Sequence, residues 1–458
     1  MKSNLDADVI VIGGGLAGLC ASLEAAKAGA EVLLLEKQAS LGGSTKLSGG
    51  SVAFAGTEEQ KRQGVEDSSE LLARDMLEVG EYANDADLVQ VYADNQLDAY
   101  RWLVSRGVTF GPIQAASGQS VPRQHPLNPA ELIETLLAEA TGVKNIRIIT
   151  GAAAIRLDTD LETGRVTGVL VKDGKDLRRA AAVRSIILTA GGFSRNKDMI
   201  ERFTPKQAPA KRVGGPGNVG DGILMAARVG AALRDMEFVK GTFGNHPDAG
   251  AEQHTATLAI YKGAIAVNRL GRRFANESIS YKLLGDACLD QPGYIGYQIF
   301  DAGVMAKAVP QVKIFDFETR LTQGLLLTAP NLAELAKKVN IPADELEQTV
   351  ARYNRSVAAG KDEEFGRTGL VQGYGALAPI ETPPFYAYPS TSAVIATYCG
   401  ATVDTEMRVI DVMGQPIPGL YAAGEMTGGF HGKAFMTGTS LGKCVICGRL
   451  AGRNAAKQ

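Results

Sequence analysis

The sequence predicts an α/β protein in which a doubly wound, Rossmann-like domain carries an inserted α+β capping domain. The first observation is an apolar, β-branched run at residues 7–12, followed by a glycine cluster and an amphipathic segment at helical spacing. The second is the return of glycine-flanked apolar strands near the C-terminus. The third is the stretch between them, which has fewer such strands and two amphipathic segments. We therefore expect a nucleotide-binding domain built from residues 1–238 and 375–458, and a substrate-capping domain at 239–374.

The first glycine cluster has the spacing of a dinucleotide-binding turn. Gly13, Gly15 and Gly18 form G-x-G-x-x-G directly after the first strand. In that motif the glycines allow a tight turn, backbone contact with a pyrophosphate and close packing of helix on strand. The helix that follows presents unpaired N–H groups and a partial positive charge to the phosphates. The next strand ends at Glu36. In proteins with this motif, an acidic residue about 20 residues after the glycines binds the ribose hydroxyls. This motif alone does not distinguish FAD from NAD.

Further glycine-rich segments follow the predicted strands. Residues 41–50 contain two Gly–Gly pairs with hydroxyl side chains between them. Such a loop can donate N–H and O–H groups to a phosphate or to a flavin. Later strands close on residues 190–192 and on residues 424–425, again with glycine. Asp221 precedes a helix, and both a helix cap and a flavin contact are open roles for it.

Composition and charge exclude several classes of protein. The 458 residues carry a formal net charge of −2, which gives no sign of nucleic-acid binding. The 4 histidines and 5 cysteines are scattered, so we expect no metal site and a reducing compartment. Cys444 and Cys447 match C-x-x-C by letter but lie among apolar residues, which predicts buried thiols. No apolar stretch approaches the roughly 18 residues of a transmembrane helix, so we expect a cytoplasmic protein without a membrane span.

Taken together, these motifs resemble the FAD-dependent fumarate reductase and succinate dehydrogenase flavoproteins, a group that also contains the 3-ketosteroid dehydrogenases. The resemblance covers nearly the whole chain and rests on segments 11–18, 36–50, 190–192, 220–222, 267–277 and 418–425. In that group FAD lies extended across the doubly wound domain, and a capping domain closes over the isoalloxazine ring, where the substrate binds. The resemblance therefore implies FAD as the cofactor.

The resemblance also implies which residues bind the FAD. The first glycine motif and its acid correspond to pyrophosphate and ribose contacts. The start of the last helix corresponds to contacts with the N1/O2 edge of the flavin, whose reduced anion it would stabilise. The flavin loop has no histidine or cysteine, so we expect non-covalent FAD. The expected cofactor-binding residues are Gly13, Gly15, Leu16, Ala17, Gly18, Glu36, Lys37, Gly43, Ser44, Thr45, Ser48, Gly49, Gly50, Ala154, Ala190, Gly191, Gly192, Asp221, Gly424, Glu425, Ser440 and Leu441.

The pocket expected at the flavin departs from the fumarate-reducing pattern. By motif position, two arginines and two histidines of that pattern correspond here to uncharged side chains, namely Tyr281, Phe435, Thr242 and Ala396. A dicarboxylate would lack its counter-charges there, which is costly in a desolvated site. Residues 437–442 instead resemble a loop of the 3-ketosteroid 4-dehydrogenase branch. The expected substrate-pocket residues are Thr242, Phe435, Thr437 and Gly438.

Two tyrosines are the candidate catalytic residues. In the ketosteroid branch, tyrosines move a proton beside a ketone while hydride passes between carbon and flavin N5. The position of that catalytic tyrosine corresponds to Tyr281, and Tyr398 is the second candidate; either could instead be a packing residue. The resemblance implies an FAD-dependent enzyme acting on a CH–CH or C=C bond next to a ketone or related carbonyl, with a cyclic or apolar small molecule as substrate.

Two other functions stay open. The chain would be a reductase of an unsaturated carboxylic acid if Arg123, Arg212 or Lys433 replaced the missing clamp. His125, close to Arg123, would then join an anion site, and otherwise both would belong to the loop surface. The chain would be a flavin-bearing electron-transfer subunit if its pocket were inactive. The sequence shows no second glycine fingerprint for a nicotinamide cofactor, so the electron donor or acceptor is open.

Overall fold

The computed structural model describes residues 5–250, 253, 255–310, 312–371 and 375–457. Its strands are β1 (Ala7–Ile12), β2 (Val32–Leu35), β3 (Ser51–Ala53), β4 (Gln124–Pro126), β5 (Ile146–Ile149), β6 (Ala152–Thr159), β7 (Val166–Asp173), β8 (Asp176–Leu188), β9 (Lys211–Arg212), β10 (Leu233–Arg234), β11 (Thr242–Asn245), β12 (Ile265–Val267), β13 (Ile295–Phe300), β14 (Leu327–Ala329), β15 (Phe385–Val394), β16 (Gly400–Ala401), β17 (Arg408–Ile410) and β18 (Pro416–Ala422). Its α-helices are α1 (Leu16–Lys27), α2 (Glu58–Arg62), α3 (Ser69–Val79), α4 (Ala86–Val104), α5 (Pro129–Gly142), α6 (Lys197–Phe203), α7 (Asp221–Arg228), α8 (Tyr281–Leu289), α9 (Ala302–Met305), α10 (Phe317–Thr322), α11 (Leu332–Val339), α12 (Ala343–Ala359) and α13 (Thr439–Ala455). Among these described helices, none is long and apolar enough to cross a bilayer.

A sheet with a parallel core forms the larger domain, in the order β17-β18-β8-β1-β2-β5. Strand β1 lies between β2 and β8 and is parallel to both. Val9, Ile10 and Val11 are fully buried. A parallel strand covered on both faces reads as a continuous apolar run rather than as an alternation, which is what the sequence shows. The doubly wound α/β fold predicted from the sequence is confirmed.

Helices α1 and α13 pack against each other through small residues. A Cβ atom added to Gly448 would collide with the carbonyl oxygen of Ala17, and one added to Gly452 would collide with that of Ala21. Both contacts advance by one helical turn in the same direction, so the two helices run parallel. The start of α13 therefore lies about eight residues, or roughly 12 Å, ahead of the start of α1 along their common direction.

A second sheet forms the core of the other domain, in the order β11-β15-β13-β12. Side chains alternate across its strands. On β13, Ile295, Tyr297 and Ile299 belong to an apolar cluster that α11 and α12 complete. Phe300 belongs to a cluster on the opposite face, which α8 completes with Tyr281 and other residues. The sheet thus fixes α8 in place on one side.

This second sheet takes strands from both sides of the segment expected to form the capping domain. Strand β9 lies before residue 239, and the central strand β15 lies after residue 374. β15 pairs with β11, β13 and β14, so its hydrogen bonds belong to this second sheet, here called the capping sheet. The local sequence pattern placed the segment that forms β15 in the nucleotide-binding domain. It could not show the pairing of this strand, because its partners are distant in sequence. The limits 1–238, 239–374 and 375–458 stay a prediction, and residue 374 lies outside the described residues.

We expect Gly452→Ala to destabilise the protein by about 1–3 kcal/mol, because the added methyl group collides with the carbonyl oxygen of Ala21 and forces two helices apart. Thermal unfolding should show a lower Tm than wild type. The control is Gly142→Ala at the end of α5, where nothing lies within 4 Å of the added atom. Its Tm should stay equal or rise slightly, because alanine favours helix. Equal Tm values for the two variants would contradict the role of this helix contact.

Candidate cofactor cleft and substrate cavity

An elongated cleft of about 820 Å³ opens at the carboxyl ends of β1, β2 and β8. This is the edge at which doubly wound proteins bind nucleotides. The expected cofactor residues that line it are Gly13, Gly15, Leu16, Ala17, Glu36, Lys37, Gly43, Ser44, Thr45, Ala154, Ala190, Gly191, Asp221 and Glu425. Gly14, Thr189 and Asn218 also line it, although the sequence argument did not single them out.

A second cavity, of about 1040 Å³, adjoins the cleft. Both are lined by Ser44, Thr45, Glu425 and Cys444, so they form one continuous site. The residues expected at the flavin end line this cavity, namely Ser48, Gly49, Gly50, Ser440 and Leu441. So do the residues expected to meet the substrate, namely Tyr281, Tyr398, Thr242, Phe435, Thr437 and Gly438. The structure therefore brings the two groups of residues together at one place.

Three residues expected to bind cofactor line neither cavity. A Cβ atom on Gly18 would collide with the carbonyl oxygen of Gly13, and one on Gly424 would lie 2.8 Å from the side chain of Ala17. A Cβ atom on Gly192 would collide with the side chains of Thr397 and Glu425. These three glycines lie behind the cleft wall and allow close packing there. Sequence spacing alone could not separate them from the glycines that face the ligand.

Two helices start at the site without side-chain caps. Gly15 precedes α1 and Gly438 precedes α13, and neither helix has an acidic residue in its first turn. The first N–H groups of a helix need an external partner, and an anion satisfies them best. The α1 start lines the cleft, and the α13 start lines the adjoining cavity. The site therefore offers two positively polarised ends, one for each half of an extended ligand.

The acidic side chains of the cleft are held in defined positions. The carboxylate of Glu36 accepts hydrogen bonds from the backbone N–H groups of Gly14, at 2.8 Å, and Gln38, at 2.7 Å. Asp221 does not cap α7, whose preceding residue is Gly220; it forms an ion pair of 2.6 Å with Lys37. The cap considered for Asp221 is therefore wrong, because Gly220 holds the cap position and Asp221 is the first residue of the helix, where its carboxylate also accepts a hydrogen bond from the backbone N–H of Gly222 at 3.1 Å.

Glu425 joins the two halves of the site. Its carboxylate accepts hydrogen bonds from the backbone N–H of Thr397, at 2.9 Å, and from the side-chain amide of Asn218, at 3.0 Å. Burial raises the pKa of Glu425 above its usual range. These bonds fix the segment that follows β15, and this segment carries Ala396 and Tyr398 into the cavity wall.

The residues of the cleft fit a dinucleotide that carries a flavin. Backbone N–H groups at two helix starts suit a pyrophosphate and a ring edge. The carboxylate of Glu36 suits ribose hydroxyls. Within the described part of the chain, buried oxygens of Asn218 and Tyr398 at the site have no hydrogen-bond partner in the protein. The described residues contain no group of three His, Cys, Asp or Glu that could hold a metal.

Three aromatic side chains, those of Tyr281, Tyr398 and Phe435, cluster in the cavity next to the flavin end. The ring centroids of Tyr398 and Phe435 are 4.8 Å apart, and those of Tyr281 and Phe435 are 6.2 Å apart. The hydroxyl of Tyr281 accepts a hydrogen bond from that of Thr437 at 3.2 Å. Burial raises the pKa of Tyr281 to about 12 and also raises the pKa of Tyr398. Both phenols are therefore protonated at neutral pH.

Sequence reasoning missed a buried lysine in this cavity. Lys282 follows Tyr281 at the start of α8, and only 1% of its surface is exposed. The four uncharged replacements had suggested a pocket without positive charge, but Lys282 supplies one. A signal was present: the apolar period of α8 places Lys282 on the same face as Gly285 and Leu289, which are also buried. A lysine on a buried helix face needs an explanation.

The candidate clamp residues lie elsewhere. Arg123 is fully buried and forms ion pairs of 2.6 Å with Asp67 and 2.5 Å with Asp75. His125 lies in β4, paired with β3, and its Nε2 is 2.8 Å from the hydroxyl of Thr57. Both residues are thus buried by other parts of the chain, and neither belongs to a loop surface or to the cavity.

Two further candidates are also outside the cavity. Lys433 forms an exposed ion pair with Glu81, at 2.9 Å. Arg212 lies on β9 and lines a separate groove at the edge of the second sheet. None of the three proposed clamp residues reaches the substrate cavity. Arg123 and Lys433 are paired with acidic residues outside it, and Arg212 lines a different groove.

Known proteins resemble this chain in sequence and in fold. The chain matches the FAD binding domain family over residues 8–441. A fumarate reductase (cytochrome) of Shewanella frigidimarina is 33% identical over 456 residues, which cover 98% of this chain and 77% of that protein. A urocanate reductase of Eggerthella lenta is 33% identical over 461 residues, covering 98% and 75%. A 3-ketosteroid-Δ4-(5α)-dehydrogenase of Rhodococcus jostii RHA1, solved with 4-androstene-3,17-dione, has a TM-score of 0.79 and 28% identity, covering 100% of this chain and 98% of that one.

The doubly wound sheet, the glycine-lined cleft and the two uncapped helix starts define a flavin-dependent oxidoreductase. The chain belongs to the FAD binding domain family, and its cofactor is FAD. It is an FAD-dependent dehydrogenase or reductase acting on CH–CH bonds. The resemblance to the fumarate reductase and ketosteroid dehydrogenase superfamily, inferred from the motifs, is confirmed.

We expect Gly15→Val to abolish FAD binding while leaving the fold intact. No protein atom lies within 4 Å of a Cβ added at Gly15, so the new side chain enters the cleft rather than the core. There it occupies the space of the pyrophosphate. The measurement is the flavin absorbance of the purified protein, with circular dichroism as the test of folding. Gly142→Val, remote from the cleft, should retain FAD; a flavin-loaded Gly15→Val protein would contradict the assignment.

Proposed function

We propose that the enzyme acts on a C=C bond next to a ketone or related carbonyl group in a cyclic or apolar molecule. The observation that carries the proposal is the pair of buried tyrosines, Tyr281 and Tyr398, facing the cavity at the flavin end of the cleft. The atoms exposed to the cavity are mostly apolar, and hydroxyl groups and one cation lie among them, which suits such a substrate. The similarity to a 3-ketosteroid dehydrogenase over the whole chain supports the same choice.

The roles of the cofactor residues follow from where they lie. We assign the pyrophosphate to the start of α1, the ribose to Glu36, and the flavin to the loop at residues 43–50 and the start of α13. FAD, when bound, supplies the hydride donor or acceptor at N5. The positive end of α13 would stabilise negative charge on a reduced flavin ring bound there.

We propose that the FAD is held without a covalent bond. Cys444 is the cysteine that lines both parts of the site. Burial raises the pKa of its thiol to about 12, so the nucleophilic thiolate is scarce at neutral pH. The flavin loop at residues 43–50 offers hydroxyl and backbone groups instead, which bind through hydrogen bonds.

Tyr281 is the residue we assign to proton transfer. Its hydroxyl is held by Thr437, and its pKa of about 12 keeps it protonated near neutral pH. A protonated phenol is ready to donate, whereas a base would first have to lose its proton. This state suits saturation of the C=C bond, in which the carbon next to the carbonyl gains a proton. We therefore propose reduction as the direction, with electrons from a donor outside this chain.

A second candidate function is reduction of an unsaturated carboxylic acid with a single carboxylate. Lys282 favours it, because a buried ammonium can pair with one carboxylate. The similarity to fumarate and urocanate reductases supports this candidate in general terms. An inactive electron-transfer subunit has no such support, since both tyrosines and the lysine face the cavity.

Tyr281→Phe should lower the rate of substrate reduction by about 10²- to 10⁴-fold, the usual effect of losing a general acid. The substitution removes one oxygen from the cavity and leaves the ring in place. Stopped-flow reoxidation of the reduced enzyme by a cyclic enone measures this step. The control is Tyr261→Phe, since the Tyr261 hydroxyl donates to the backbone oxygen of Ile279 behind the cavity. A wild-type rate for Tyr281→Phe would leave Tyr398 as the proton donor.

Simple dicarboxylates should be poor substrates. Lys282 is the cation among the described residues that line the cavity, so a second carboxylate would be buried without a partner. We expect kcat/KM for fumarate to be at least about 100-fold below that for a cyclic enone, the cost of roughly 3 kcal/mol for such a charge. Steady-state assays with a reduced viologen dye as electron donor provide the comparison. Equal values for the two substrates would contradict the proposed substrate class.

A further inference from the structure

Lys282 is a buried cation that has no carboxylate partner in the described structure. Its ammonium group donates to the hydroxyl of Thr242 at 2.5 Å and to the backbone oxygen of Lys240 at 3.3 Å. The nearest acid on its own helix, Asp286, is engaged elsewhere, by Lys240 at 2.6 Å and by Gln207 at 2.7 Å. Lysine has three donors, so one N–H is left on a side chain that lines the cavity.

Aromatic faces surround this ammonium group. Its Nζ lies 4.9 Å from the ring centroid of Tyr398, 5.1 Å from that of Phe435 and 5.6 Å from that of Tyr281. Aromatic faces attract a cation, but they carry no net negative charge and so do not neutralise it. The arrangement therefore holds the ammonium in place and leaves its charge available to a ligand.

Close packing gives the lysine a fixed position. A Cβ atom added to Gly285, one turn further along α8, would lie 2.5 Å from the backbone oxygen of Gly241. Helix α8 thus touches the chain just before β11, the strand that begins with Thr242. Thr242 and Lys282 come from two neighbouring elements and meet at the cavity wall.

We propose that Lys282 binds and polarises the carbonyl oxygen of the substrate and balances the negative charge that this oxygen gains. This inference rests on the proposed function and names the group that recognises its carbonyl. Tyr281 is then free to serve the carbon atom, and Thr242 positions the ammonium.

The charges balance in a reduction of this kind. FAD held by the start of α1, Glu36 and the start of α13 would, in its reduced form, supply a hydride to the carbon one bond beyond the carbon next to the carbonyl, and would thereby be oxidised by two electrons. The electron pair of the C=C bond moves toward the carbonyl oxygen and gives an enolate, whose charge Lys282 compensates. The enolate then takes a proton from Tyr281 at the carbon next to the carbonyl. Solvent returns a proton to Tyr281.

The charged and titratable groups around Lys282 set its protonation. Asp286 lies on the same helix, and Lys240 precedes β11; Glu425 follows β18, and His431 lies in the loop before α13. Tyr281 and Tyr398 face it from the cavity wall. Burial lowers the pKa of Lys282 to about 7, while Asp286 and Glu425 act in the opposite sense. Burial also keeps His431 neutral by lowering its pKa well below the usual value.

The first test is a binding measurement that does not depend on turnover. The probe is 3-fluoro-4-nitrophenol, added to the oxidised, FAD-loaded enzyme; its anion presents a single phenolate oxygen to a cation and shares part of its charge with the nitro group. Fluorine NMR reports the ionisation of the bound probe without interference from flavin absorbance. In wild type, the probe's pKa should be at least about one unit lower when bound than when free, which is a tenfold preference for the anion. In Lys282→Met, the pKa should instead lie above that of the free probe, because the cavity wall then keeps the buried acid Glu425 and has lost its cation.

Matched variants separate this role from a structural one. Lys282→Arg should keep the preference for the anion, and Thr242→Val should reduce it in part. Lys433→Met, which removes an exposed lysine outside the cavity, in the loop before α13, should behave as wild type. If Lys282→Met loses FAD or fails to fold, Lys282→Arg and Thr242→Val carry the test. An anion preference that is unchanged in every soluble Lys282 and Thr242 variant would overturn the proposal.

Benzoate gives a second arm, because its charge is shared by two oxygens. If benzoate binds more tightly than the phenolate, and if this binding is lost in Lys282→Met, Lys282 recognises a carboxylate and the carbonyl assignment is overturned.

With a reducible cyclic enone, kcat in Lys282→Met should fall about 10²- to 10³-fold, as for loss of an oxyanion donor. In wild type this rate should fall as pH rises through about 7, because Lys282 then loses its proton. Failure to reduce any enone, with the probe result intact, would refute the proposed function alone.

Discussion

The contact between α1 and α13 is the constraint on which the rest of the site depends. Glycine at residues 448 and 452 lets the two helix backbones touch, and the register of that contact places one helix start roughly 12 Å ahead of the other. Each start is uncapped by any side chain. One end therefore serves the phosphates and the other serves the ring. The register of the two helices thus sets the distance between the two ends of the site, and the loops complete its walls between them.

Burial determines which groups in the substrate cavity keep a charge. It raises the pKa of Glu425, whose carboxylate is held by Thr397 and Asn218, and it lowers the pKa of His431 so that the imidazole is neutral. Lys282 remains as a cation that titrates near neutrality, enclosed by aromatic rings. A cavity with one such charge discriminates by how much negative charge a substrate brings and by where it carries that charge.

Much of the fold could be predicted because its signals are local. The apolar run of β1, the glycine turn and the helical period of α1 lie within some 20 residues of each other. Features that depend on distant partners could not be read in this way. Arg123 is held by Asp67 and Asp75, and β15 is defined by strands far from it in sequence. Lys282 was missed for a different reason, since a lysine is expected at the surface and only its helix period marks it as buried.

The central position of β15 has a consequence for engineering this scaffold. The strand belongs to the capping sheet, yet it leads directly into Thr397, whose backbone N–H is bound by Glu425 in the cofactor domain. A cassette exchanged between relatives at residues 239–374 would leave this strand behind and break the sheet through its middle. A workable chimera has to carry residues 385–398 together with the cap. The two domains are thus modular in space but interleaved along the chain, and recombination between relatives is restricted accordingly.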